Sequence, residues 1–264
     1  MNKIYLSETQ KAFLRSEYRH ARLVRLSRFL LLFAFLALWE LTADVSLIDG
    51  FIFSSPSRIV QCLVKMTKDG SLFLHTWVTL YETLVSFALV VGLGIGVALL
   101  LWCSKTLSQI LEPFLVVLGS LPKSALAPLL IVWLGNNQTT IITAAVSVAL
   151  FGSILTLYAG FSQFDETQVK LVRSLGAGKA QILRFVLLPG SLPLIVSTMK
   201  VNIGLCLVGV IIGEFLSSKA GLGYLITYAS QTFAMTTVIT AIVILCLIST
   251  ILYQAVAWLE KKLS

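Results

Sequence analysis

Two histidines, four cysteines and twelve acidic residues are the whole supply of metal ligands and carboxylates in this chain of 264 residues. His20 lies in a basic tail and His75 near the start of an apolar run. Cys62, Cys103, Cys206 and Cys246 share no paired metal-ligand spacing, so neither a metal centre nor a disulfide is expected, and a Ser-His proteolytic centre has too few histidines to draw on. Charge is equally scarce: 12% of residues are charged against 57% apolar, a balance that excludes a soluble globular domain. The phosphate-cradling loop Gly-x-x-x-x-Gly-Lys-Ser/Thr is missing too. Gly178-Lys179 is followed by Ala180, and Arg173 stands where the first glycine is required. Any nucleotide chemistry therefore belongs to a separate subunit.

What fills the chain is hydrocarbon. A spanning helix needs about 20 apolar residues to cross roughly 30 Å of bilayer core, and six segments qualify: 29–46, 77–102, 109–134, 139–160, 190–215 and 235–258. The reading is an all-α integral membrane protein with six transmembrane helices, residues 29–264 forming the membrane domain behind a basic N-terminal segment, 1–28. That segment carries Lys3, Lys11, Arg15, Arg19, Arg22, Arg25 and Arg28 and no small-residue cleavage site, so it is read as retained. Lys105, the basic residues of the 161–187 loop, Lys261 and Lys262 fall on the same side. The other side keeps only Arg58, Lys65, Lys68 and Lys219. Both termini are thus expected to be cytoplasmic. Contact with anionic lipid headgroups accounts for the net charge of +8 without nucleic acid.

The loop at 161–189 is unlike the rest. Leu171, Leu175, Ile182 and Val186 recur at helical spacing with Arg173, Lys179 and Arg184 between them, which reads as an amphipathic helix pair built to dock. Gly176 and Gly178 sit at the break, where a missing Cβ allows a sharp turn. Leu188-Pro189 is expected to end the element, since proline lacks the donor that a continuing helix needs. The Leu175-Gly176-Ala177 triplet and the later Leu188-Pro189 resemble, in identity and spacing, the cytoplasmic coupling loop of bacterial ABC importer permeases. The likeness departs at the family's acidic-Ala-Ala triplet, here Lys170-Leu171-Val172, which reverses a charge; Asp165 and Glu166 lie just upstream as alternative acidic contacts.

Other stretches extend the resemblance. Ser54-Ser55-Pro56-Ser57-Arg58 reads as a helix start, with serines able to cap and an amphipathic external helix following through Ile59, Val60, Leu63 and Val64. This helix start resembles the permease subgroup associated with nitrate, sulfonate and taurine. The third span is irregular, with Pro113, Pro122 and Pro128 beside Lys123 and a Trp133-Leu134-Gly135 exit. Lys123 either meets an anionic solute or snorkels to lipid phosphate near the cytoplasmic mouth. Glu214 closes the fifth span ahead of Gly221-Leu222-Gly223-Tyr224, again resembling the family; it either lines an external gate or pairs with Lys219. Ser120, Pro122, Lys123 and Glu214 together form the candidate translocation path. Glu82, in the second span, stands where relatives often carry arginine. Glycines at 92, 94 and 96 and at 209 and 213 supply close-packing spacings, within one subunit or at a dimer seam.

The resemblance implies a transport subunit that is not itself an enzyme and binds no cofactor. ATP and Mg would sit on two partner ATP-binding subunits, beside a second permease copy, with an extracytoplasmic solute-binding protein delivering the cargo at a bacterial cytoplasmic membrane. Residues 165, 166, 170, 175, 176, 177 and 189 would form the coupling contact. A secondary transporter or channel would instead show ion-coupling carboxylates or an inverted repeat, whereas the spans hold no convincing internal repeat and few acidic residues. A non-transporting scaffold would leave the Leu-Gly-Ala to Leu-Pro spacing unexplained.

Overall fold

The computed structural model describes residues 8–164 and 166–263. The first helix, α1, runs over Glu8–Asp44 without a break, so residues 8–28 of the basic segment and the first span are one element. Arg, Lys, Leu and Glu are all good helix formers, and nothing in the sequence stops them at residue 28. The portion apolar enough to span is Arg22–Asp44. The helix meets the rest of the molecule chiefly through α2, Pro56–Lys68. Ser55 occupies the cap position of α2, but its hydroxyl does not cap the helix. It reaches Glu40 Oε1 at 3.3 Å, and Glu40 Oε2 accepts the Ser57 N–H at 2.9 Å. The free amides of a helix start thus find a carboxylate from the preceding span rather than a local serine. Ile59 and Met66 turn inward, whereas Val60 and Val64 stay exposed.

Four further helices are long and apolar enough to cross a membrane: α3 (Ser71–Cys103), and three that follow later in the chain, at Gln138–Ser162, Leu192–Ser217 and Met235–Lys262. Between α3 and the next of them lie α4 (Lys105–Ser120) and α5 (Lys123–Leu134), which meet at 103° and count as one span only when taken together. Of the three prolines expected to break this region, Pro113 and Pro128 lie inside helices, and the bend falls at Leu121-Pro122. Then come α6 (Gln138–Ser162), α7 (Glu166–Ser174), α8 (Lys179–Ile182), a π turn at Leu183–Leu187, α9 (Leu188–Gly190), α10 (Leu192–Ser217), α11 (Leu222–Gln231) and α12 (Met235–Leu263).

The core is built on α6, which packs along both α3 and α10. Gly209 and Gly213 make the second contact possible. A Cβ at Gly209 would stand 2.6 Å from the Ala145 Cα, and one at Gly213 would stand 3.0 Å from the Ile141 Cα. Those distances admit hydrogen but no carbon, the mode by which small residues bring backbones together in lipid. Deeper in, Gly94 of α3 lies against Ser153 of α6, whose hydroxyl oxygen accepts a 2.8 Å hydrogen bond from the Asn202 side-chain amide on α10. Three helices therefore meet at one satisfied polar contact. Gly92 and Gly96 have open space where a Cβ would go, so the glycines of α3 serve different ends.

Gly209→Leu forces side-chain volume into this seam and is expected to destabilise the purified protein by about 1–3 kcal/mol or more. Gly92→Leu, on an open face, is expected to leave it within about 0.5 kcal/mol. Thermal unfolding of the two variants in detergent makes the comparison.

Candidate coupling segment and transport path

The segment after α6 is shaped by its backbone. Helix α7 ends in a Schellman arrangement: the Gly176 N–H donates to Arg173 O at 3.0 Å and the Ala177 N–H donates to Val172 O at 3.2 Å. The residue at the turn takes φ +88°, a left-handed conformation that costs an L side chain about 1–2 kcal/mol. Space is not the constraint, because a Cβ there would meet nothing within 4 Å of this chain. Gly178, by contrast, has φ −74° and needs no glycine; it starts α8, its N–H donating to Gln181 Oε1 at 2.9 Å.

The four apolar residues of the stripe part company at this turn. Ile182 is fully buried, and Leu187 beside it joins a core of Ala98, Leu157, Phe161 and Ile195. Leu171 and Leu175 instead stand 61% and 79% exposed. The segment is thus bolted to the bundle at one end and presents leucines outward at the other. Lys170 and Arg173 line a cleft of about 290 Å³ with Trp102, Phe161 and Phe164. Glu166 opens α7, and Asp165 lies outside the described residues. Leu188-Pro189 does not end the element. The π turn feeds straight into α9, and only Ser191 separates that from α10. A proline in the first turn of a helix sacrifices no bond, because its N–H would be unpaired anyway. Gly190 gives room to the Phe164 ring, which would stand 2.4 Å from a Cβ.

At the far end of α10, Glu214 is buried and does not pair with Lys219. Its Oε1 accepts the Thr79 hydroxyl at 2.7 Å and its Oε2 the Gly223 N–H at 2.5 Å. Thr79 Oγ1 accepts the Leu222 N–H at 2.8 Å, and His75 Nδ1 accepts that of Gly221 at 3.0 Å. The free amides at the start of α11 are therefore tied to α3 and α10 by a carboxyl, a hydroxyl and an imidazole. The two glycines are explained by the same carboxyl. Cβ atoms at Gly221 and Gly223 would stand 2.4 Å from Glu214 Cδ and 2.8 Å from its Oε2, and Gly221 also has φ +114°.

A family model described as "Binding-protein-dependent transport system inner membrane component" matches residues 89–264. The chain belongs to this family. It is an inner-membrane, multi-pass permease component of an ABC transporter and not a catalytic subunit. It is 30% identical over 86% of its length to a probable ABC transporter permease protein of Haemophilus influenzae, covering 92% of that relative. It is 26% identical to the taurine transport system permease protein TauC of Escherichia coli, with 87% and 85% of the two chains covered. Other relatives are named for aliphatic sulfonates, riboflavin and formylaminopyrimidine. Among solved structures, an inward-facing form of the MetNI methionine ABC transporter shares the fold, with a TM-score of 0.64 at 21% identity, covering 71% of this chain and 94% of that one.

In this permease the remaining path candidates gather at the joint between α4 and α5, apart from Glu214. The Lys123 ammonium donates to the Gly119 carbonyl, at the end of α4 where unpaired carbonyls and the helix dipole favour a cation. The Ser120 hydroxyl donates to Val117 O at 2.9 Å, and Pro122 is exposed. What sequence reasoning missed is the buried polar face of α3. Thr79, Glu82, Thr83 and Ser86 recur every three or four residues through an apolar span, and that periodicity was a sufficient signal.

Glu214→Ala leaves the Thr79 hydroxyl and the Gly223 amide short of a partner, at about 1–3 kcal/mol for each group left buried. Hydrogen exchange at Leu222–Tyr224 is expected to quicken accordingly, while Lys219→Met leaves it unchanged. Mass spectrometry of the exchanged protein reads both.

Proposed function

We propose that this permease forms the translocation path for a small solute of the sulfonate, taurine, nitrate or vitamin-precursor class, handed over by an extracytoplasmic solute-binding protein. Two copies pair as a homodimer above two ATP-binding subunits, which hold ATP and Mg. The basic residues flanking the spans support a cytoplasmic location for both termini and for the 161–189 segment. The α3 start, the α5–α6 turn and α11 then face the outside.

One observation carries this reading: the exposed Leu171 and Leu175, set by the glycine turn and anchored through Ile182 and Leu187. Exposed leucines beside Lys170 and Arg173 suit a partner groove with an apolar floor and acidic walls. ATP-driven closure of the ATPases displaces that surface, and alternating access follows in the attached helices. Asp165, Glu166, Lys170, Leu175, Gly176, Ala177 and Pro189 belong to this coupling segment. Lys123 and Glu214 act by holding the α4–α5 joint and the start of α11.

Tagged protein drawn from detergent-solubilised native membranes is expected to bring an ATP-binding subunit with it. Gly176→Val, a β-branched residue forced into the left-handed region, should insert normally yet lose that subunit and ATP-linked uptake. Retention of both in the variant, or uptake without any ATPase, would give the protein to the secondary-transporter class.

A further inference from the structure

Helix α7 has two sides. Leu171, with Leu175 just beyond the helix, stands on one; Val169, Lys170 and Arg173 fall on the other, at the three- and four-residue spacings that share a face. This second side closes the cleft of about 290 Å³ against the ends of α3 and α6. The inner wall of the cleft is aromatic and fixed. Phe161 is buried in the cluster of Ala98, Leu157 and Leu187, Trp102 packs against that cluster, and the Phe164 ring lies against Gly190.

The outer wall is cationic. Among the described residues, the charges that line the cleft are Lys170 and Arg173, both positive. Lys170 already has a partner of its own. Arg173 is exposed, and its guanidinium makes no hydrogen bond or ion pair with any described residue. The apolar spans of α3 and α6 end at Cys103 and Ser162, so the cleft opens at the level of the lipid headgroups, on the side that the basic residues make cytoplasmic. At roughly 30 Å³ per water-sized group it holds about ten, the heavy-atom count of a glycerol phosphate.

We propose that this cleft binds an organic phosphate, its anionic oxygens held by Arg173 with Lys170 beside it and its organic part laid on Trp102 and Phe164. A guanidinium fork meets two phosphate oxygens at once, and the ammonium adds a second charge. A bare hydrated anion gains nothing from the aromatic wall, and a neutral solute gains nothing from the cations. The headgroup of an anionic phospholipid and a soluble phosphate ester of the same size offer the same chemistry. A guest of either kind ties α7 to α3 and α6 from the side away from the leucines, and so sets the stance of the face that docks. That last consequence rests on the coupling reading of α7; the binding does not.

The test uses the full chain in maltoside micelles, which carry no phosphate, and needs no ATPase, so it stands apart from the coupling assignment. Hydrogen exchange over 166–174 is followed by mass spectrometry while phosphatidylglycerol, glycerol phosphate or sodium chloride of matched ionic strength is added. Exchange is expected to slow several-fold with an organic phosphate and not with chloride. Slowing by phosphatidylglycerol alone assigns the site to a lipid headgroup; slowing by glycerol phosphate as well, or by it alone, assigns it to a soluble ester. Arg173→Gln should raise the half-saturating concentration roughly ten- to a hundred-fold and leave exchange without phosphate unchanged. Lys179→Gln removes an equal charge from the same segment outside the cleft, and should leave the half-saturating concentration as it is. No slowing by either phosphate, equal slowing by chloride, or equal losses in the two variants overturns the site, the last in favour of a diffuse surface charge.

Discussion

The approach of α10 to α6 is the constraint on which the rest depends. Gly209 and Gly213 set it, because only glycine lets one helix lie against the Cα atoms of Ala145 and Ile141. Once the two backbones are that close, Asn202 reaches Ser153 and Gly94 brings α3 over both. The position of α10 then dictates both ends of the site. Its last turn carries Glu214 to Thr79, and its first turn receives the chain from the π turn by way of α9 and Ser191. In lipid, where apolar side chains gain little by leaving hydrocarbon for protein, such steric fit and buried hydrogen bonds take the place of the hydrophobic effect.

Much of this architecture was legible in the sequence because the bilayer imposes a length on every span, and length survives in a hydropathy profile. The ends of 139–160 and 190–215 fall within two residues of those of α6 and α10. The turn within the 161–189 loop was legible for a different reason: Gly176 takes a left-handed φ that favours glycine, and Leu175-Gly176-Ala177 is a local pattern with a local cause. Local rules failed where a distant group intervened. Ser55 was a reasonable cap from its neighbours alone, but Glu40 takes that part from another helix. Pro189 was a reasonable stop, but it falls in a first turn where its missing amide does no harm. Glu214 lies five residues from a lysine and bonds instead to a threonine 135 positions away, a pairing no periodicity within one helix announces.

The same comparison separates two uses of glycine. At 176 and 221 the backbone itself requires it, since φ is +88° and +114°. At 209, 213 and 223 the dihedrals are ordinary and the requirement comes from a neighbour, whether a facing helix or the Glu214 carboxyl. Reading glycine as a generic turn or packing signal assigned Gly178 and Gly92 a part in which the structure finds no crowding and no unusual dihedral.

From Lys179 to Ser217 the chain departs from regular helix only at Ser191, whose N–H still donates to Leu187 O at 2.9 Å. Past the Gly176 turn, the helical run that starts at Lys179 leads with a single interruption to the carboxyl that fastens α11. The π turn has its own consequence: its extra residue rotates everything beyond it about the helix axis. The face that α10 turns toward α6 is thus indexed to the segment before the π turn, and adding or deleting one residue within 183–187 would re-aim the glycine seam while leaving every residue in it unchanged.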